Sequence, residues 1–159
     1  MEPADLGRIL DSSITIEAER QQLNVAQFLR QMIENIDKRQ AALSSITVAE
    51  LAHGIYRADT LDRGNRRRVF LDELKAALPG YPVTDMTTAE LVGKIGGESS
   101  ARSVNIPIDD LFIGACALER GYAIATRNLR HFGKIPGLNI IEFCGDPRLN
   151  HLRTSITTT

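Results

Sequence analysis

Tryptophan is absent, and three tyrosines and five phenylalanines hold the aromatic content to 5%. So few rings exclude an extended base-stacking platform. Cysteine is scarce as well. Cys116 and Cys144 are too few for a disulfide framework, and Cys116 falls inside the apolar run Leu111 to Leu118, where it reads as a buried thiol. Neither cysteine joins His53 or His151 in a spacing that suits zinc. No charge sign dominates: 19 Lys and Arg against 20 Asp and Glu leave a net charge of −1. A general nucleic-acid binder carries a basic footprint, so any nucleic acid here must be held by local bases and a metal. No apolar stretch is long enough to span a bilayer. The first residues, Met1 to Gly7, carry acids and a proline in place of the basic start and apolar run of a signal peptide. A cytoplasmic protein is expected.

What remains is an ordinary globular chain of 159 residues, 43% hydrophobic and 25% charged, the size of one domain. Such a chain buries about two-thirds of its unfolded surface and needs no staple. Strand and helix signals alternate along it. Arg8 to Leu10 reads as a strand ending at Asp11. Val25 to Ile36 reads as a helix capped by Asn24, because Val25, Phe28, Leu29, Met32, Ile33 and Ile36 recur at steps of three and four. Leu43 to Thr47 reads as a strand, then Val48 to Tyr56 as a helix interrupted by Gly54. Asn65 to Leu78 is a third helix, stopped by Pro79-Gly80. Tyr81 to Thr84 is briefly extended. The next helix, capped by Asp85 or Thr87, runs to about Ile95 and breaks at Gly96-Gly97. Asn105 to Ile108 reads as a loop, and Asp109 or Asp110 opens an apolar helix ending near Gly121. Tyr122 to Thr126 is a strand, Asn128 to Phe132 a turn of helix, Leu138 to Phe143 a last strand. The alternation predicts a mainly parallel sheet covered on both faces, with residues 1–7 as an extension, 8–143 as the domain and 144–159 as a polar, mobile tail.

Four polar positions share one place in this scheme. Asp11 follows the first strand, Glu50 sits in the first turn of the helix after the second strand, Asp110 begins the apolar helix, and Asn128 follows the strand at Tyr122 to Thr126. Strand carboxyl ends and the facing helix N-termini border the ligand crevice of parallel α/β sheets. Carboxylates gathered there repel, and a dication removes that cost. Hard oxygen donors suit Mg²⁺ or Mn²⁺. Taken singly, each acid has an ordinary explanation as a helix cap, a first-turn acid or a turn residue.

The combination resembles a known family. Arg8-Ile-Leu-Asp-Ser-Ser-Ile14 resembles the first strand of PIN-domain proteins. Ser45-Ile-Thr-Val-Ala-Glu-Leu-Ala-His-Gly54 resembles their second acidic motif, and Ile106-Pro-Ile-Asp-Asp-Leu-Phe-Ile-Gly-Ala-Cys-Ala-Leu118 their third. Ala125-Thr-Arg-Asn-Leu-Arg-His-Phe132, followed by Ile135-Pro-Gly-Leu138, resembles the closing motif of VapC-type toxins. The resemblance implies a three-layer α/β/α sandwich and a divalent-metal-dependent endoribonuclease. It implies that Asp11, Glu50 and Asp110 bind the metal. Asp110 is preferred to Asp109 because it directly precedes Leu-Phe-Ile, which leaves Asp109 as the cap. The fourth position, often aspartate in the family, is Asn128, which adds no charge and weakens the case for a second metal. Ser13 and Thr126 are candidates to hydrogen-bond the acids. Arg127 and Arg130, with His131 and Lys134, are candidates to hold RNA phosphates, while Arg66-Arg67-Arg68 reads as a solvated face pairing with Asp62 or Asp72. The family further implies a homodimer and a small antitoxin. Its segment would lie in an apolar groove between the helix of Phe28, Leu29, Met32 and Ile33 and the helix of Val69, Phe70, Leu74 and Leu78, with Met32 exposed. The rival expectation is a PIN-like binding module without catalysis, supported by Asn128 and the neutral charge. A phospho-acceptor domain is disfavoured: there is no acid pair at the first strand and no strand-end lysine.

Overall fold

The computed structural model describes residues 6–35, 40–81, 85–143 and 156–157. Its elements run β1 (Gly7–Leu10), α1 (Ser12–Arg20), α2 (Val25–Asn35), β2 (Gln40–Ser44), α3 (Ser45–Tyr56), α4 (Leu61–Ala77), β3 (Gly80–Tyr81), α5 (Met86–Ala101), α6 (Ile108–Arg120), β4 (Ala123–Thr126), α7 (Leu129–Phe132), β5 (Asn139–Glu142) and β6 (Ile156–Thr157). The sheet order is β3-β2-β1-β4-β5-β6. The first five strands are parallel, and β6 closes the edge antiparallel to β5, pairing Ile140 with Ile156.

Period-two alternation along the strands builds two cores. Ile9, Ala42, Ile124 and Ile140 face α5 and α6, where they meet Val92, Ile95, Ile113 and Ala117. Leu10, Leu43 and Ala125 face the other way, onto Ile14, Ala18, Phe28, Met32 and Leu74 of α1, α2 and α4. This is the expected three-layer α/β/α sandwich. At Gly114 an added Cβ would stand 2.6 Å from Ile135 Cδ1, so a larger residue there would require the Ile135 side chain to shift. Gly121 closes α6 with a φ of 65°, a left-handed cap that glycine takes without strain.

Several sequence expectations are corrected. The helix α1 was not foreseen: Ile14 and Ala18 make its buried stripe, and the β-branched run Ile14-Thr15-Ile16 masks it. Ile46-Thr47-Val48 misled in the same way. The strand β2 ends at Ser44, whose hydroxyl accepts from the Thr47 amide at 3.1 Å and starts α3 three residues earlier than expected. Glu50 therefore stands in the second turn of α3, not the first. Gly54 does not interrupt α3; its carbonyl accepts from Arg67 at 2.6 Å. A Thr60 cap moves the start of α4 back to Leu61. The helix α5 passes straight through Gly96-Gly97 to Ala101. Asp109 is not the cap of α6, because Pro107 holds that position and both aspartates lie in the first turn. Met32 is 5% exposed and belongs to the core, so it lines no open groove, although Ile33 and Val69 are exposed. Arg67 is no solvated residue either: it binds Glu19 and the Gly54 carbonyl, while Arg66 pairs with Asp62.

Asn24 and Gln27 do form a reciprocal cap, at 2.8 and 2.9 Å, and Asp85 accepts from the Thr88 amide at 2.7 Å. Cys116 is buried, and burial pushes its thiol pKa up. Gly7 lies within β1, inside the expected extension, and β6 falls within the expected tail. Ile36, Pro82 to Thr84, Cys144 and His151 lie outside the described residues. No described helix is long and apolar enough to cross a membrane.

Candidate active site

The chain steps outward from β1 to β2 and β3, then crosses back to lay β4 and β5 on the other side of β1, so the sheet's switch point lies between β1 and β4. That arrangement opens a crevice at the carboxyl ends of these two strands. Asp11 leaves β1 there in an extended conformation. Its amide donates to the Ala125 carbonyl at 3.0 Å, which fixes the backbone against β4. The carboxylate is 5% exposed, and Oδ2 accepts from Ser13 Oγ at 2.7 Å and Thr126 Oγ1 at 2.9 Å. Each hydroxyl also accepts from the chain beyond β4: Ser13 from the Arg127 amide at 3.0 Å, Thr126 from the Asn128 amide at 2.8 Å. The two hydroxyls tie the acid to α1 and β4 and orient it.

Glu50 reaches the same crevice from α3. Its Oε2 is buried and has no hydrogen-bond partner. Burial raises the Glu50 pKa above the ordinary 4.5, a hydrogen bond from Ser12 offsets part of that, and the charges of Asp11, Asp110 and Asp109 add to it. Asp110 enters from the first turn of α6. Its Oδ2 meets His131 Nδ1 at 2.7 Å, and the same ring nitrogen lies 2.9 Å from Asn128 Nδ2. Burial raises the Asp110 pKa above 3.8; the His131 hydrogen bond opposes the rise, and the Asp11 charge reinforces it.

These side chains line one open cleft of about 300 Å³: Asp11, Ser12, Ser13, Glu50, Asp110, Asn128 and His131, with Asp109 at the exposed rim. Its lining includes no lysine or arginine. A larger hollow of about 490 Å³ at the α3–α4 corner, around Tyr56, Leu61 and Arg68, has one acid and no orphaned buried polar atom. The smaller cleft is therefore the candidate site. Of the bases near the fourth motif, Arg127 pairs with Glu17 beside the cleft, Arg130 is exposed, and Lys134 donates to the Asn105 carbonyl at 3.2 Å. His131 is turned onto Asp110 instead of outward. Its contact with Asp110 and that of Ser12 with Glu50 were not expected from the sequence; the three-residue step from Asn128 to His131 on a helical turn was the available signal for the first.

Do these residues fit a divalent cation? Among the described residues, no three acidic, histidine or cysteine side chains are already drawn to ligating distance. The two raised carboxyl pKa values come first from burial, and the neighbouring carboxylates add to the rise. The donor set fits: hard carboxylate oxygens, one of them buried and unpartnered, in a cleft without a side-chain ammonium or guanidinium to neutralise them.

The PIN domain model matches residues 8–138. The chain belongs to the PIN-domain family. It is 25% identical over 136 residues to ribonuclease VapC1 of Rickettsia felis, covering 86% of this chain and 96% of that one. It is 28% identical over 112 residues to the tRNA(fMet)-specific endonuclease VapC of Salmonella typhimurium, covering 69% and 80%. Among solved structures, the DNA-bound VapBC of Salmonella typhimurium superposes with a TM-score of 0.72 at 26% identity, over 87% of this chain and 99% of that one.

Proposed function

We propose that this PIN-domain chain is a divalent-metal-dependent endoribonuclease that hydrolyses RNA phosphodiester bonds, the toxin of a VapC-type toxin–antitoxin pair. The observation that carries the reading is the buried, unpartnered Glu50 Oε2 facing the same cleft as Asp11 and Asp110. A buried acceptor left without a partner costs about 1–3 kcal/mol, a cost that a cation shared with Asp11 and Asp110 would offset. In this reading Asp11, Glu50 and Asp110 hold Mg²⁺ or Mn²⁺. The bound ion supplies charge that neutralises a phosphate oxygen and favours deprotonation of the attacking water. The chain's own groups do the rest. Ser13 and Thr126 keep Asp11 oriented, Asn128 offers an uncharged polar group at the fourth position, and Arg127 and Arg130 hold RNA phosphates at the rim. Residues 8–143 form the functional unit, working in the cytoplasm as a homodimer silenced by a small antitoxin.

The likeness to a tRNA(fMet)-specific endonuclease makes transfer RNA the first substrate to try. Purified protein with Mg²⁺ or Mn²⁺ should cut tRNA or total RNA at mapped internal sites. EDTA or Asp110→Asn should stop it, and the product of a neighbouring small open reading frame should silence it. A non-catalytic binding module, favoured by Asn128 and the near-neutral net charge, would show RNA binding with no metal-dependent cleavage.

A further inference from the structure

The geometry points to His131 as a positioning residue that fixes the Asp110 carboxylate for the cation, an inference that rests on the metal-site reading above. His131 stands on the single turn α7, which the structure holds firmly. Phe132 is fully buried, the Asn128 amide donates to Thr126 Oγ1 at 2.8 Å, and the Gly133 amide donates to the Leu129 carbonyl at 2.9 Å. The ring is thus a fixed arm reaching across to α6. Its Nδ1 has one in-plane site. Facing a carboxylate oxygen at 2.7 Å, that site carries the proton and donates to Asp110 Oδ2. Asn128 then turns its carbonyl oxygen toward the ring, since amide oxygen and nitrogen are assigned from their partners. The third and fourth motifs are joined through one imidazole.

The consequence is directional. An aspartate in the first turn of a helix can rotate about two side-chain bonds. With Oδ2 committed to His131, the carboxylate is held in one orientation and Oδ1 is left for the cation. Outer hydrogen-bond partners of ligating groups are worth about 10–100-fold in metal affinity or activity. His131 is the one nitrogen donor on Asp110 among the described side-chain hydrogen bonds, so that loss should be read at this residue.

The test uses substitutions that separate the two ring nitrogens. An asparagine amide nitrogen occupies roughly the place of Nδ1, and a glutamine amide nitrogen that of Nε2. Mn²⁺ is titrated calorimetrically into the full chain without RNA, for wild type, His131→Asn, His131→Gln and Asp110→Asn, with melting temperatures measured in parallel. The inference predicts Mn²⁺ affinity about tenfold weaker in His131→Gln, largely restored in His131→Asn, with both metal-free proteins melting near wild type. Equal or tighter binding in His131→Gln would overturn it, since the ring would then be idle or a competitor of the cation. So would a parallel fall of both variants in affinity and melting temperature, which marks a purely structural role. Asp110→Asn keeps the two readings apart. If it binds Mn²⁺ as tightly as wild type, the ligand assignment fails and the positioning role falls with it. If it loses Mn²⁺ while His131→Gln does not, the positioning role alone fails.

Discussion

Glu19, on the flank of α1, meets Arg67 through two contacts of 2.9 and 3.1 Å and Arg63 through another of 3.1 Å, whereas Asp11, at the head of the same helix, is met by two hydroxyls. Glu17 repeats the flank's pattern with Arg127 and Arg20. Within about three turns of helix, carboxylates are matched to cations on one side and gathered without them at the other. The flank's pairs tie α1 to α4, and through Arg67 and the Gly54 carbonyl to α3. The head leaves Glu50 Oε2 unpartnered and two carboxyl pKa values raised. Charge is matched where α1 packs on α4 and unmatched at the candidate site. Neutralising a carboxylate should therefore have opposite consequences in the two places.

The largest effect belongs to the head. Asp11→Asn or Asp110→Asn should lower metal-dependent RNA cleavage by more than about 100-fold, since even outer partners of a metal ligand are worth about 10–100-fold. The fold should survive, with a melting temperature at or above that of wild type without metal. Gel-resolved cleavage of tRNA and thermal melts check both halves; full activity in either variant would break the contrast.

Next comes the flank. Glu19→Gln removes a bidentate, half-exposed arginine pairing, which is worth about 1 kcal/mol or less. For a chain of this size that is about 2–4 °C in melting temperature. Cleavage per folded molecule should not change. An inactive but fully stable Glu19→Gln would erase the distinction between flank and head.

The pH dependence sharpens it further. Burial makes Glu50 and Asp110 hold their protons more tightly folded than unfolded. Their contribution to stability is present below the ordinary values of 4.5 and 3.8 and is lost as pH rises through the raised, folded values. Metal-free Glu50→Gln should melt above wild type at neutral pH, and the gap should close as pH falls toward 4.5. Saturating Mn²⁺ should reverse the order, because wild type gains more from the ion. A gap that widens in acid would contradict the burial argument. The smallest effect is expected from Asn128→Asp, which restores an acid at the fourth position and should tighten Mn²⁺ binding modestly in a calorimetric titration. An unchanged isotherm would remove Asn128 from the ion's surroundings.

The sequence was most readable at the candidate cleft. Asp11, Glu50, Asp110 and Asn128 were legible because strand ends in a parallel sheet converge whatever the details of the helices between them. The layers were legible for a similar reason, since Ile9 and Leu10, or Ile124 and Ala125, alternate faces. The helix α1 was hidden because its β-branched residues mimic a strand, and its helical state is settled by Ile14 and Ala18 packing beneath it. The role of Arg67 was hidden because its partners, Glu19 and the Gly54 carbonyl, are remote in sequence. Phe28 and Met32 were correctly grouped on one face, yet a stripe alone cannot tell the sheet-facing side from an open groove; burial against Leu74 decides it. The His131–Asp110 bond was hidden for a related reason: a histidine beside arginines reads as one more base until the tertiary fold turns its ring toward the acid.

On the proposed function, the unmatched carboxylates at the head of α1 hold a divalent cation. Crystals of the full chain soaked in Mn²⁺ and measured for anomalous scattering test this directly. One strong peak should stand between the carboxylates of Asp11, Glu50 and Asp110, with Glu50 Oε2 turned onto it. The peak should be absent from crystals of Asp110→Asn soaked in the same way. A cleft without a peak, or a peak bound elsewhere while the three acids stay apart, would contradict it.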